Sequence, residues 1–144
     1  MLQKILVPTD GSELSLHAMC GAVELAKRLG SKIVGLTVVE PYAYASLSEY
    51  RPETIAEYEQ RADQLGRERL GVLAAQASAG GVPFEGVVSR SFSPHESIIE
   101  MAEQTNCDAI FMASHGRRGL SAVLLGSETQ KVLAHSRLPV MVYR

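Results

Sequence analysis

Two short stretches of this 144-residue chain bring together residue types able to handle an anion. The first, Pro8-Thr9-Asp10-Gly11-Ser12, sets two hydroxyls and a carboxylate beside a glycine. The second runs Ala113-Ser114-His115-Gly116-Arg117-Arg118-Gly119 and resumes, after an apolar turn, at Gly126-Ser127-Glu128-Thr129. Phosphate binding uses such parts: glycines let backbone N–H groups approach the anion, a helix N-terminus adds partial positive charge, and a hydroxyl supplies another donor. Arg117 and Arg118 can add fork-shaped charge to the same place. Each stretch also has a plainer reading. Asp10 or Ser12 would serve as the cap of a helix, and the second stretch as a connecting loop with solvated arginines.

The elements that would position these residues follow from apolar spacing. Residues 4 to 8 form a short apolar run, and from Glu13 to Leu29 the residues Leu14, Ala18, Ala22, Leu25, Ala26 and Leu29 recur every three or four positions before Gly30 ends the helix. Residues 32 to 39 are β-branched and almost continuously apolar, as in a strand covered on both faces. Residues 41 to 52 lack a period and read as a mobile surface loop, a candidate lid. A long helix is expected from about Glu53 to Ser78, with Ile55, Tyr58, Ala62, Leu65, Leu70, Leu73 and Ala77 on one side.

A third strand follows at 84 to 90, and Ser93-Pro94-His95-Glu96 matches a capping box opening the next helix. Residues 107 to 113 give a fourth strand, Ser127 to Ala134 a last helix, and Val140-Met141-Val142-Tyr143 the end of a terminal strand. Strand and helix alternate throughout, which predicts one domain over residues 1–144: an α/β, doubly wound, five-stranded parallel sheet with helices on both faces. In such sheets ligands sit outside the carboxyl ends of strands where strand order reverses, which selects the loops after the first, second and fourth strands.

Composition narrows the chemistry. Lys and Arg number 14 against 16 Asp and Glu, a formal charge of −2, so no basic run exists to neutralise a nucleic-acid backbone. No apolar stretch approaches the roughly 20 residues that span a bilayer, and the N-terminus lacks a secretory apolar core, so a cytoplasmic protein without membrane partners is expected. Cys20 and Cys107 lie in separate segments and read as buried free thiols. There is neither a GxxxxGK[ST] run nor a GxGxxG after the first strand. His17, His95 and His135 read as surface residues; His115 is either structural or a donor to an anion. Ser114 and Ser127 have no identifiable oriented base, so efficient catalysis is not predicted.

The PTDGS segment and the ASHGRRGLSAVLLGS segment together resemble the universal stress protein family, and the likeness in length and element order covers the whole chain. Nucleotide-binding members carry a glycine, two residues, a second glycine, nine residues, then a third glycine followed by serine or threonine. Here Gly116, Gly126 and Ser127 match at that spacing, and the first glycine is replaced by Ala113.

The resemblance implies a Rossmann-like fold of the adenine nucleotide alpha hydrolase type that binds ATP with Mg²⁺. The backbone of Ser114 to Gly119 and of Ser127 to Thr129 would hold triphosphate and ribose. Pro8, Thr9 and the main chain of Val38 would flank adenine, and Asp10 would lie near the ribose or a phosphate-bound Mg²⁺. It also implies a homodimer paired through the Val140–Tyr143 edge, acting in a stress response through an unidentified downstream protein. The alternatives are a dimer of the same fold without nucleotide, and a slow ATPase using His115 or Asp10 as base.

Overall fold

The computed structural model describes residues 1–43, 53–116 and 125–144. Five strands, β1 (Lys4–Pro8), β2 (Lys32–Val39), β3 (Phe84–Arg90), β4 (Ala109–Ala113) and β5 (Val140–Tyr143), form one sheet in the order β3-β2-β1-β4-β5, every pairing parallel. Between them lie α1 (Glu13–Leu29), α2 (Ile55–Ala79), α3 (Pro94–Gln104) and α4 (Ser127–His135). From β1 the chain winds outward one way through β2 to β3, then crosses back to β4 and continues to β5. Right-handed crossovers running in opposite directions put their helices on opposite faces of the sheet.

The two cores obey that rule. On one face Ile5, Val7, Ile33, Phe111 and Ala113 pack with Met19 of α1 and Leu73 of α2. On the other, Leu6, Val34, Leu36, Ile110 and Met112 pack with Ile98 of α3 and Val132 of α4. Successive strand residues alternate between these clusters because side chains along a strand point to opposite faces. At Gly35 a Cβ would stand 2.7 Å from the Phe84 ring and 2.9 Å from Leu73, so the absent side chain makes room for the phenylalanine.

Ser12 caps α1 by accepting the Ser15 amide at 3.2 Å, and Gly30 ends the helix in the left-handed conformation at φ 69°. α2 opens later than expected, on a capping box between Thr54 and Glu57. Its expected apolar stripe is divided: Leu70, Leu73 and Ala77 are buried, whereas Ile55 and Leu65 are 54% and 40% exposed. The first half of α2 is held by polar contacts instead, with the Tyr58 hydroxyl donating to the Glu40 carbonyl at 3.0 Å and Arg90 paired to Asp63 at 2.7 Å.

The capping box expected at Ser93 does not form, since the Ser93 side chain makes no cap bond. The fourth strand begins at Ala109 rather than 107. Cys107 is buried as expected, but Cys20 is exposed on α1. His17 and His135 are exposed. No helix among the described residues is long and apolar enough to cross a membrane. The expected lid over 41 to 52 falls mostly outside the described residues, as do Arg117, Arg118 and Gly119.

Candidate functional site

Strand order reverses between β1 and β4, and a cleft of about 430 Å³ opens above their carboxyl ends. Its apolar lining includes Pro8, Leu36, Val38, Ile98, Met112 and Ala113. Its polar lining includes Asp10, His115, Gly116, Gly126, Ser127 and Glu128.

Local chemistry fixes the β1 side. The Thr9 hydroxyl is buried, accepts the Gly11 amide at 3.2 Å and lies 3.1 Å from the Ser15 hydroxyl. Gly11 turns the chain at φ 76°, a conformation that glycine adopts without a steric penalty. With Ser12 as the helix cap, Asp10 is not needed there. Its Oδ1 accepts the Ser12 amide at 2.9 Å, and the carboxylate reaches the cleft beside Gly116.

Between β1 and β2 the ladder stops at the Thr9 amide, which donates to the Leu36 carbonyl at 2.8 Å. The next acceptor, the Thr9 carbonyl, takes the Thr37 hydroxyl at 2.9 Å. Two residues beyond Thr37, the Val39 carbonyl faces β3 and accepts the Ser91 amide at 3.0 Å. Alternation along the strand therefore turns the Val38 N–H and C=O the other way, into the gap above β1. One donor and one acceptor, side by side, face the apolar slot.

On the β4 side the Ser114 amide donates to the Tyr143 carbonyl at 2.7 Å, and the Gly126 amide to the Ser114 carbonyl at 2.7 Å. The Thr129 hydroxyl donates to the Ala113 carbonyl at 3.0 Å, so the first turn of α4 is fastened to the end of β4. Gly126 permits that closeness, because a Cβ there would stand 3.0 Å from the His115 Cα. A Cβ on Gly116 would collide with the Asp10 carboxylate. The N-cap of α4 is Gly126, which offers no side chain to its amides. The opening N–H groups of α4, at Ser127, Glu128 and Thr129, have no carbonyl partner within the helix and border the cleft. Ala113 is an ordinary strand residue, buried and paired with Tyr143, so alanine at this position carries no backbone strain.

Two residues stand apart from their expected roles. His95 is not a solvent-facing residue: its amide donates to Glu128 Oε2 at 2.8 Å, and its ring Nδ1 lies 3.0 Å from the same oxygen. Burial works against charge on Glu128, but these hydrogen bonds and Lys131, 3.4 Å away, outweigh it and hold the carboxyl below the usual range. His115 borders the cleft, with Nδ1 3.2 Å from the Ser114 hydroxyl. No carboxylate orients its ring among the described residues. Sequence reasoning missed Glu40, Ser91, Phe92 and Pro94, which also line the cleft. Phe92 is 66% exposed, and only a loop assignment next to the third strand could have drawn notice to it.

No group of three or more His, Cys, Asp or Glu able to cage a metal occurs among the described residues. Asp10 alone suits a cation that brings its own oxygen ligands, as Mg²⁺ does.

The family model for the universal stress protein family matches residues 1–144. This chain belongs to that family. The likeness to other universal stress proteins runs the full length: that of Methanocaldococcus jannaschii called MJ0531 is 31% identical over 145 residues, spanning 100% of this chain and 83% of the relative. The solved structure of MJ0577 superposes with a TM-score of 0.83 at 27% identity, covering 99% of this chain and 95% of that one. Two more distant universal stress proteins share the fold. One, in complex with cAMP, matches at 22% identity and TM-score 0.71 over 99% of this chain and 97% of its own. The other, from Archaeoglobus fulgidus in complex with dAMP, matches at 19% identity and TM-score 0.68 over 100% of both chains.

Proposed function

We propose that this universal stress protein binds an adenine nucleotide, ATP carrying Mg²⁺, in the β1/β4 cleft and acts in the stress response as a nucleotide-dependent regulator rather than as an efficient enzyme. The carrying observation is the placement of the Val38 main-chain pair across one cleft from the opening amides of α4. A base in the apolar slot meets one acceptor and one donor. Adenine offers its amino group to the Val38 carbonyl and a ring nitrogen to the Val38 amide, whereas guanine presents an oxygen and a ring N–H, the opposite pattern. The α4 amides and the Ser127 hydroxyl then receive phosphate oxygens. Asp10 accompanies a phosphate-borne Mg²⁺, whose role is to neutralise phosphate charge. Two fold relatives are solved in complex with cAMP and dAMP, which supports an adenine nucleotide as the ligand.

His115, lacking an orienting carboxylate among the described residues, is a poor general base, which favours slow or absent hydrolysis. The β5 edge, half-buried along Val140, Met141, Val142 and Tyr143, pairs antiparallel with its own copy to form a cytoplasmic homodimer in this reading. Calorimetric titration tests the site: Mg-ATP binds, Mg-GTP binds at least about ten-fold more weakly, and Asp10→Asn loses the benefit of Mg²⁺. A wild-type protein silent to Mg-ATP, or one indifferent to the base, overturns the reading.

A further inference from the structure

His95 does not line the cleft, yet it holds a residue that does. Glu128 stands in the first turn of α4, among the amides assigned above to phosphate. A carboxylate there is drawn toward its own helix N-terminus, because the partial positive charge that attracts a phosphate attracts any anion. Left to itself, it would occupy those amides and repel the incoming nucleotide.

The observed geometry points the carboxylate elsewhere. Oε2 takes both the His95 amide at 2.8 Å and the His95 ring at 3.0 Å, while Oε1 lies 3.4 Å from Lys131 Nζ. A capping box would pair the Ser93 side chain with the Glu96 amide and the Glu96 side chain with the Ser93 amide, but the Ser93 amide donates to the Ser91 hydroxyl at 3.0 Å. The α3 N-terminus, where the Ser93 side chain makes no cap bond, is capped instead by a carboxylate from another helix, 33 positions along the chain. The ring is itself steadied, with the Ser93 hydroxyl 3.3 Å from Nδ1 and the His135 ring 6.0 Å away.

We propose that His95 is a positioning residue for the nucleotide site: by anchoring Glu128 to the start of α3, it keeps the α4 amides open to phosphate. This inference rests on the reading of the cleft as a nucleotide site. The competition is charge against charge, so its strength follows the charge of the ligand. A residue of purely structural value would instead affect all ligands alike.

Titration of the purified protein with Mg-ATP, AMP and adenosine separates the two. His95→Ala weakens Mg-ATP binding about five- to ten-fold and AMP about two-fold, and leaves adenosine unchanged. The surviving backbone bond from residue 95 limits the loss. His95→Gln, which keeps a side-chain donor, binds Mg-ATP close to wild type. In the double variant His95→Ala/Glu128→Gln the freed side chain no longer carries charge, and Mg-ATP affinity returns. Thermal unfolding of each variant confirms that folded protein is compared. Equal losses for adenosine and Mg-ATP, no loss at all, or a double variant no better than His95→Ala overturns the proposal. Wild-type protein that binds no nucleotide overturns the reading of the cleft and this inference with it. Wild-type binding with indifference to His95 overturns the inference alone.

Discussion

Replacing Gly126 by alanine tests whether the join between β4 and α4 is set by protein packing. The backbone at residue 126, φ −60° and ψ 151°, suits any residue, so conformational strain contributes nothing. The added Cβ would sit 3.0 Å from the His115 Cα, 3.3 Å from its Cβ and 3.4 Å from the Ser114 carbonyl oxygen. A main-chain atom cannot rotate aside, so α4 must retreat by a few tenths of an ångström. That stretches the Gly126 amide bond to Ser114 and the Thr129 bond to Ala113, now 2.7 and 3.0 Å. Overpacking of this kind costs about 1–3 kcal/mol, which lowers Tm by roughly 3–9 °C in a domain of this size. Gly71→Ala is the matched control: nothing lies within 4 Å of its Cβ in the interior of α2, so it should stabilise by about 0.5–1 kcal/mol. Thermal unfolding followed by circular dichroism measures both. A Gly126→Ala protein melting within about 1 °C of wild type refutes the argument that the loop closes on that glycine.

The Glu128 anchor should appear as a pH dependence. Because its carboxyl is held below the ordinary range in the folded protein, its stabilisation is present at neutral pH and fades as pH falls from the ordinary carboxylate value through the lowered one. Urea unfolding of wild type and Glu128→Gln should show a gap that closes on acidification, and a gap that widens toward acid contradicts the assignment. Ser12→Ala removes the cap of α1 and should cost about 1 kcal/mol, whereas capping by Asp10 would leave stability unchanged; the urea midpoint decides. Gly35→Ala drives a methyl into the Phe84 ring and Leu73 and should destabilise by about 1–3 kcal/mol, read from the same transition.

The fold was legible wherever one local rule decided the outcome. α1 runs over Glu13–Leu29 as its spacing and Gly30 indicate, and the alternation of strand and helix gives the parallel sheet. At the site, Pro8, Asp10, Val38, Gly116 and Gly126 come together as expected, because the reversal of strand order follows from the winding. Illegible features depend on distant partners. The Ser93 box has the right residues at the right spacing, yet the Ser93 amide goes to the Ser91 hydroxyl and Glu128 caps the His95 amide, a contact no local pattern encodes. The stripe of α2 is continuous in sequence, but only its second half is buried against the sheet. Cys20 shares a helix with buried neighbours and falls on its outer side. Phe92 carries no periodic signal at all.

The joint between β1 and β4 bears on how binding and unfolding are linked. It is registered at only two residue pairs, Ile5 with Ala109 and Leu6 with Ile110, whereas β1 and β2 share five. The molecule's shortest seam therefore lies directly beneath the cleft, and whatever occupies the cleft bridges both banks of it. A guest gripping Val38 on one side and the start of α4 on the other would act as a staple across that seam, so amide protons of β4 and β5 should exchange more slowly when it is present.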